Sequence, residues 1–234
     1  QIAAHEDIIP LEELMNICRT ARAMLDGDLR VSRVIARPFI GHSGNYQRTS
    51  NRHDFSVEPV GETLLDKITG AGQPVLAVGK IHDIFAGRGI TEHITTKSNM
   101  DGVDKTLDYL QRNEPGLIFT NLVDFDMVYG HRNNISGYAQ ALEEFDSRLP
   151  DIVAALKEQD MLIITADHGC DPTTASTDHS REYTPLLVYG KQLKKGIDLG
   201  TRRTFADIGA TVAEYLGIAP LVYGQSFYEE IKEG

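Results

Sequence analysis

Aspartates and histidines gather in two short stretches of this chain. The first, Asn121-Leu-Val-Asp124-Phe-Asp126-Met-Val-Tyr-Gly130-His131-Arg132, follows the apolar run Leu117-Ile118-Phe119. The second opens with Met161-Leu-Ile-Ile164 and reaches Thr165-Ala166-Asp167-His168-Gly169. It continues through a loop of small and polar residues carrying Asp171, Asp178 and His179, then enters the apolar segment Pro185 to Tyr189. Carboxylate and imidazole without thiolate form a ligand set for Zn, Mn or Fe. Two strand ends that each offer Asp and His are what a two-metal site requires. There, cations about 3.5–4 Å apart clamp a phosphoryl group. Asp167 and His168 would point to opposite faces of a regular strand, so joint ligation needs a turn, which Gly169 favours. Helix capping by Asp124 or Asp126 and a hydrogen-bonded Asp167-His168 pair are the plainer alternatives. The recurrence of one pattern at two strand ends favours metal.

A second group is cationic. Between Arg30 and Arg52 stand five arginines and no acid, in a chain whose net charge is −11. Arg33 and Arg37 are four apart in the strand-like VSRVIARPF and so share a face. The glycine- and asparagine-rich loop after it carries His42, Arg48, Arg52, His53 and Asp54. Guanidinium forks match phosphate oxygens, so a basic patch in an acidic protein suggests a phosphorylated small molecule. Arginines paired with unrelated acids are the alternative. Lys80 stands just past another strand end, where it fits an anion contact and a plain surface lysine equally well.

The elements that would position these groups read as follows. A helix is expected over Ile8–Leu25 and a strand over Val31–Phe39. From about Val60 helices and strands alternate: a helix from Glu62 to Ile68, a strand from Pro74 to Val78, and a helix from Asp101 to Arg112 capped by Asp101. The Leu117 strand comes next, then a long helix from Asn134 to Gln159 that Pro150 should kink or divide. Met161–Ile164 reads as a strand buried on both faces of a parallel sheet. A helix from Thr204 to Leu216 and a short last one from Ser226 close the chain. This alternation places the chain in the α/β class, with chemistry just beyond the carboxyl ends of strands.

Length allows one sizeable core plus a small second unit. The strong negative charge argues against general binding to nucleic acid or membrane surfaces. Two cysteines, Cys18 and Cys170, make no disulfide framework, so a cytoplasmic location is expected. No run reaches membrane-spanning length. Gln1 opens the chain without a methionine, and a preceding segment is expected.

Taken together, the two Asp/His stretches and Thr177-Asp178-His179-Ser-Arg-Glu-Tyr-Thr-Pro185 resemble the metal-binding half of the alkaline phosphatase superfamily. Within it the chain is similar to the bacterial phosphopentomutase family. Asn51-Arg-His-Asp54, Lys97-Ser-Asn-Met-Asp-Gly102 and Thr204-Phe-Ala-Asp-Ile-Gly-Ala-Thr211 fit that family in particular, and the resemblance runs essentially end to end. It implies an alkaline-phosphatase-like α/β core with a mostly parallel sheet and helices on both faces. Part of a smaller α+β cap would accompany it, the cap over residues 1–54 and the core over 55–234.

The resemblance further implies interconversion of α-D-ribose 1-phosphate, or its 2-deoxy form, with the 5-phosphate. The route would be a phosphothreonine enzyme and a sugar bisphosphate, with two Mn²⁺ ions and a primer such as ribose 1,5-bisphosphate or glucose 1,6-bisphosphate. Carried over residue by residue, Asp126, His131 and His179 would bind one manganese and Asp167 and His168 the other. Arg33, Arg48, Arg52 and Lys80 would hold substrate phosphate. The family's opening strand, with an aspartate for the second metal, and its threonine nucleophile have no counterpart among these residues. The resemblance therefore implies an N-terminal remainder of the same protein, and no residue here is assigned as nucleophile. A cofactor-independent phosphoglycerate mutase, a phosphatase, or a fragment that binds metal or phosphosugar without turnover are the alternatives.

Overall fold

The computed structural model describes residues 1–233. The chain forms two compact units, Gln1–Gly61 with Asp83–Arg88, and Glu62–His82 with the chain from Gly89 onward.

The first unit holds β1 (Ile2–His5), α1 (Leu11–Met24), β2 (Arg33–His42), β3 (Asn45–Arg48) and β4 (His53–Ser56). Its hub is β2, parallel to β1 and antiparallel to both β3 and β4. Val34 and Ala36 of β2 join Ala4, Leu14 and Cys18 in one buried cluster, which seats α1 on one face of the sheet. Alternation then places Arg33, Ile35, Arg37 and Phe39 on the other face. The glycine- and asparagine-rich stretch expected as a loop instead contains β3 and β4. His42 pairs with Asn45 across a tight turn in which Gly44 takes φ +86°, a backbone that glycine adopts without steric cost.

The second unit continues with α2 (Leu64–Gly70), β5 (Val75–Val78), β6 (Glu92–Ile94), α4 (Asn99–Leu110) and β7 (Leu117–Thr120); the short helix α3 (Ile81–Ile84) follows β5. Thr63 and Asp66 form a reciprocal capping box at the start of α2, which satisfies two otherwise orphaned amides. Strands β6, β5 and β7 form a parallel sheet in that order. All four residues of β5 are buried; Leu76 and Val78 pack with Tyr109 of α4, while Val75 and Ala77 are buried on the opposite face, as a covered parallel sheet requires. The cap of α4 is Ser98, not Asp101: the Ser98 hydroxyl accepts the Asp101 amide at 3.2 Å, so Asp101 sits within the first turn.

Helix α5 (Ile135–Ala155) runs without division through Pro150. Proline removes one amide donor there, while Ala141 and Ile152 are buried on the packed side of the helix. Strands β8 (Met161–Thr165) and β9 (Leu186–Gly190) correct a second expectation. They form an antiparallel pair, and β8 is half-buried along Met161–Ile164 rather than enclosed on both faces. A parallel neighbour would need a crossover, whereas the chain between them is an excursion without a helix, bridged at Gly169↔Ser180. The chain closes with α6 (Ala206–Tyr215) and α7 (Tyr228–Ile231). Here the Thr204–Thr211 motif is structural. The buried Asp207 accepts the Gln225 amide at 2.9 Å, and the Thr211 hydroxyl accepts that of Phe227 at 3.0 Å.

Candidate metal centre

Asp126 lies in a wide turn over Phe125–Tyr129 and His131 in the 3₁₀ turn that follows, both just beyond β7. His179 comes from the excursion between β8 and β9. Asp126 Oδ1 is 3.2 Å from His131 Nε2 and 3.1 Å from His179 Nε2, and the three donor atoms lie within 4.8 Å of one another. Ligands placed about 2.1 Å from one ion stand roughly 3.0–3.4 Å apart, so each imidazole stands from Asp126 as two ligands of one divalent cation would. His131 Nδ1 lies 2.5 Å from the Thr177 carbonyl. A carbonyl only accepts, so the proton belongs on Nδ1 and the Nε2 lone pair faces Asp126.

The two stretches are tied together by residues that the sequence did not single out for this task. Asn133 takes a left-handed backbone, φ 48°, and its side-chain amide donates to the Thr174 carbonyl at 3.0 Å. The neighbouring Asn134 caps α5; an Asn-Asn pair before a helical run was the available signal. The Cys170 thiol donates to Asp126 Oδ1 at 3.8 Å. Burial first, then the Asp126 charge, push that thiol up, which keeps it a donor. Gly130 has no room for a side chain, because a Cβ would overlap Cys170 Sγ.

Asp167 and His168 lie beside this cluster. Their nearest charged atoms are 3.8 Å apart. The His168 ring stacks on that of His179 at 3.7 Å, and His179 stacks on His131 at 4.9 Å. Three imidazoles thus form one column. The Asp167-His168 pair offers two donors, and among the described residues only Asp126, His131 and His179 form a cluster of three.

Asp124 and Asp171 have structural roles. Asp124 accepts the Asn99 amide at 2.7 Å and returns its own to the Asn99 side chain at 2.9 Å. Asp171 accepts from the hydroxyl and amide of Thr173, which hold it below the usual carboxylate range.

Lys80 follows Gly79, whose φ of +80° lets the chain leave β5 against the Asn121 carbonyl. Its ammonium lies 2.7 Å from Met127 Sδ, so it reaches the turn that carries Asp126. Arg33, Arg48 and Arg52 belong to the first unit. Arg52 forms a fork with Asp54 at 2.8 Å to each oxygen, and Arg33 lies 3.4 Å from the same carboxylate. Arg48 is exposed on β3.

Residues 58–220 match the model of the metalloenzyme superfamily. The chain belongs to that superfamily. Among individual proteins, this superfamily member is 64% identical over 231 residues to the phosphopentomutase of Desulfitobacterium hafniense. It is 63% identical over 231 residues to that of Acetivibrio thermocellus and 62% identical over 233 residues to that of Carboxydothermus hydrogenoformans. Each match covers at least 99% of this chain but 60% of the relative, so the chain spans about three fifths of their length. A crystal structure of Leishmania mexicana phosphoglycerate mutase at low cobalt concentration is similar with a TM-score of 0.54 at 19% identity. That match covers 73% of this chain and 39% of the other, and it carries the fold alone. The α/β class and the alkaline-phosphatase-like core stand on these matches and on the parallel β6-β5-β7 sheet.

Proposed function

We propose that this chain is the metal-binding part of a phosphopentomutase, an isomerase that interconverts α-D-ribose 1-phosphate, or 2-deoxyribose 1-phosphate, with the 5-phosphate. The observation that carries the reading is the Asp126–His131–His179 cluster, with its three donor atoms within 4.8 Å. It occurs in a chain 58–64% identical to proteins named phosphopentomutase.

In this reading Asp126, His131 and His179 hold one Mn²⁺, and Asp167 and His168 contribute to a second. Bound divalent cations would neutralise phosphoryl oxygens and stabilise the attacking and leaving oxygens together. The chain's own residues set the geometry. The Thr177 carbonyl fixes the His131 tautomer, and the Cys170 thiol and Asn133 amide hold the two ligand loops in register. Lys80, beside the Asp126 turn, supplies positive charge for a phosphate oxygen.

Residues 1–54 act as part of a cap whose arginines, Arg33, Arg48 and Arg52 among them, receive the sugar phosphate. Closure of a cap excludes water and favours transfer over hydrolysis. The threonine nucleophile and the last ligand of the second metal are placed outside these 234 residues, in the part of the relatives' length that this chain does not span. A sugar bisphosphate primes the cycle, and the reaction is cytoplasmic.

The test is conversion of α-ribose 1-phosphate to ribose 5-phosphate with Mn²⁺ and glucose 1,6-bisphosphate. The whole protein should be active, and these 234 residues alone inert. A whole protein inert on pentose phosphate but active on 3-phosphoglycerate would replace this reading with a phosphoglycerate mutase.

A further inference from the structure

We infer that Asn99 is a positioning residue of the metal centre. Its backbone and side chain clasp Asp124, just ahead of the Asp126 ligand, and hold the turn that presents that ligand. The inference rests on the metal reading above and gives the Lys97-Ser-Asn-Met-Asp-Gly102 motif a task.

The start of α4 meets the start of the metal turn. Two amides there are satisfied locally, that of Asp101 by Ser98 Oγ and that of Lys97 by Asp101 Oδ2 at 2.8 Å. The Asn99 amide, one of the donors a helix start leaves without an intrahelical partner, finds Asp124 Oδ2 at 2.7 Å. The helix dipole favours a carboxylate at that place. A return bond runs from the Asp124 amide to Asn99 Oδ1 at 2.9 Å. Asp124 opens the wide turn over Phe125–Tyr129, yet its carboxylate caps nothing within that turn; it is committed to α4.

Two further contacts fasten the same connection. A Cβ at Gly102 would stand 2.7 Å from Leu122 Cδ2, so only glycine lets the helix come this close. The Thr106 and Thr120 hydroxyls are 2.7 Å apart. Helix α4 thus grips the chain from the end of β7 to Asp124, and Asp126 is the first ligand beyond the grip.

The chemistry of residue 99 fits this task better than plain stability. Ser98 already caps the helix. Asn99 is only 5% exposed, and its Nδ2 is buried without a partner. An orphaned donor of that kind costs about 1–3 kcal/mol. Aspartate would keep the acceptor and remove the orphan, but would set a second negative charge against Asp124. Asparagine gives the Asp124 amide an acceptor of the same reach that carries no charge.

The test is a Mn²⁺ titration of the chain, with metal-free thermal melts, for wild type, Asn99→Ala, Asn99→Leu and Val103→Ala. Asn99→Leu fills the volume but offers no acceptor. Val103 is buried in the same helix, and truncating it costs stability without touching the clasp. Both Asn99 variants should bind Mn²⁺ about tenfold or more weakly than wild type, while Val103→Ala melts lower and keeps the wild-type affinity. Hydrogen exchange on the wild type needs no variant. An ion supported by the clasp must tighten it in return, so Mn²⁺ should slow exchange in peptides spanning 97–102 more than in those spanning 206–215. Saturable wild-type binding with undiminished affinity in the Asn99 variants overturns this inference and leaves the metal reading in place. So does an equal loss in Val103→Ala or, where the Asn99 variants do not fold, exchange at 97–102 that Mn²⁺ does not slow. Failure of the wild type to bind Mn²⁺ removes the metal reading, and this inference with it.

Discussion

Asp126 Oδ1 and His179 Nε2 lie 3.1 Å apart, although one belongs to the turn after β7 and the other to the excursion between β8 and β9. Nothing local brings them together. Their approach depends on a short series of cross-links between the two loops: His131 to the Thr177 carbonyl, Asn133 to the Thr174 carbonyl, and Cys170 to Asp126. A metal centre built this way should be sensitive to residues that never touch the ion.

Gly130 and Cys170 provide the first case. A methyl group at residue 130 would overlap Cys170 Sγ and press on the Phe125 carbonyl. Gly130→Ala should destabilise the chain by about 1–3 kcal/mol, the usual cost of overpacking. Adding Cys170→Ala should recover much of it. A double-mutant cycle from urea denaturation measures the coupling, and purely additive effects would show that the thiol is not what fills the space.

Asn133 separates backbone from side chain. Its left-handed φ of 48° suits glycine as well as asparagine. Asn133→Gly should keep the fold's stability within about 0.5 kcal/mol yet weaken divalent metal binding by roughly tenfold, since the link to the Thr174 carbonyl is lost. Asn133→Ala should lose both, with the added backbone strain costing about 1–2 kcal/mol. Thermal melts and metal titrations on the two variants distinguish these outcomes.

Part of this arrangement was legible in the sequence, for identifiable reasons. Apolar runs ending in Asp, Gly and His marked the two strand ends, because chemistry collects where buried strands leave a sheet. The direction of β8 was not legible. Met161-Leu-Ile-Ile164 reads alike in a parallel or antiparallel setting, and the connection after it decides. Nor was the cap of α4, since Ser98 and Asp101 both have the chemistry and differ only in which backbone amide they can reach. The stretch around β3 and β4 is polar enough to pass for a loop, and its pairing depends on β2. Asn133 and the Thr177 carbonyl emerge only from tertiary geometry.

Asp207 tests the structural reading of the Thr204–Thr211 motif. It is buried, accepts the Gln225 amide at 2.9 Å and faces Arg202 at 3.4 Å. Asp207→Ala would leave that amide without its acceptor, at a cost of about 2 kcal/mol, while Arg202 keeps Glu230 at 3.2 Å. The metal affinity of the folded variant should match wild type. A small change in the denaturation midpoint would contradict the role assigned here.

Glu92 gives a pH signature. The Arg112 fork, at 2.7 and 2.9 Å, and then the Tyr109 hydroxyl hold its carboxyl below the usual glutamate range. A depressed folded-state value means that the stabilisation is complete above the unfolded-state pKa, about 4.3. It is lost as pH falls through the lower, folded-state value. The pair is solvent-exposed, so the contribution is only about 0.5 kcal/mol. Melting curves of wild type and Glu92→Gln should differ slightly at pH 7 and converge in acid. A gap that persisted or widened below pH 3 would have the wrong sign.

The most direct test of the central claim is a Mn²⁺ titration of the purified 234-residue chain, following the free ion by electron paramagnetic resonance. Wild type should bind the ion saturably. Asp126→Asn and His179→Ala should weaken it by more than about 100-fold, beyond the loss expected from an outer contact, with metal-free melting temperatures unchanged. Equal binding by wild type and both variants would contradict the account, because the ion would then be held by groups other than Asp126, His131 and His179.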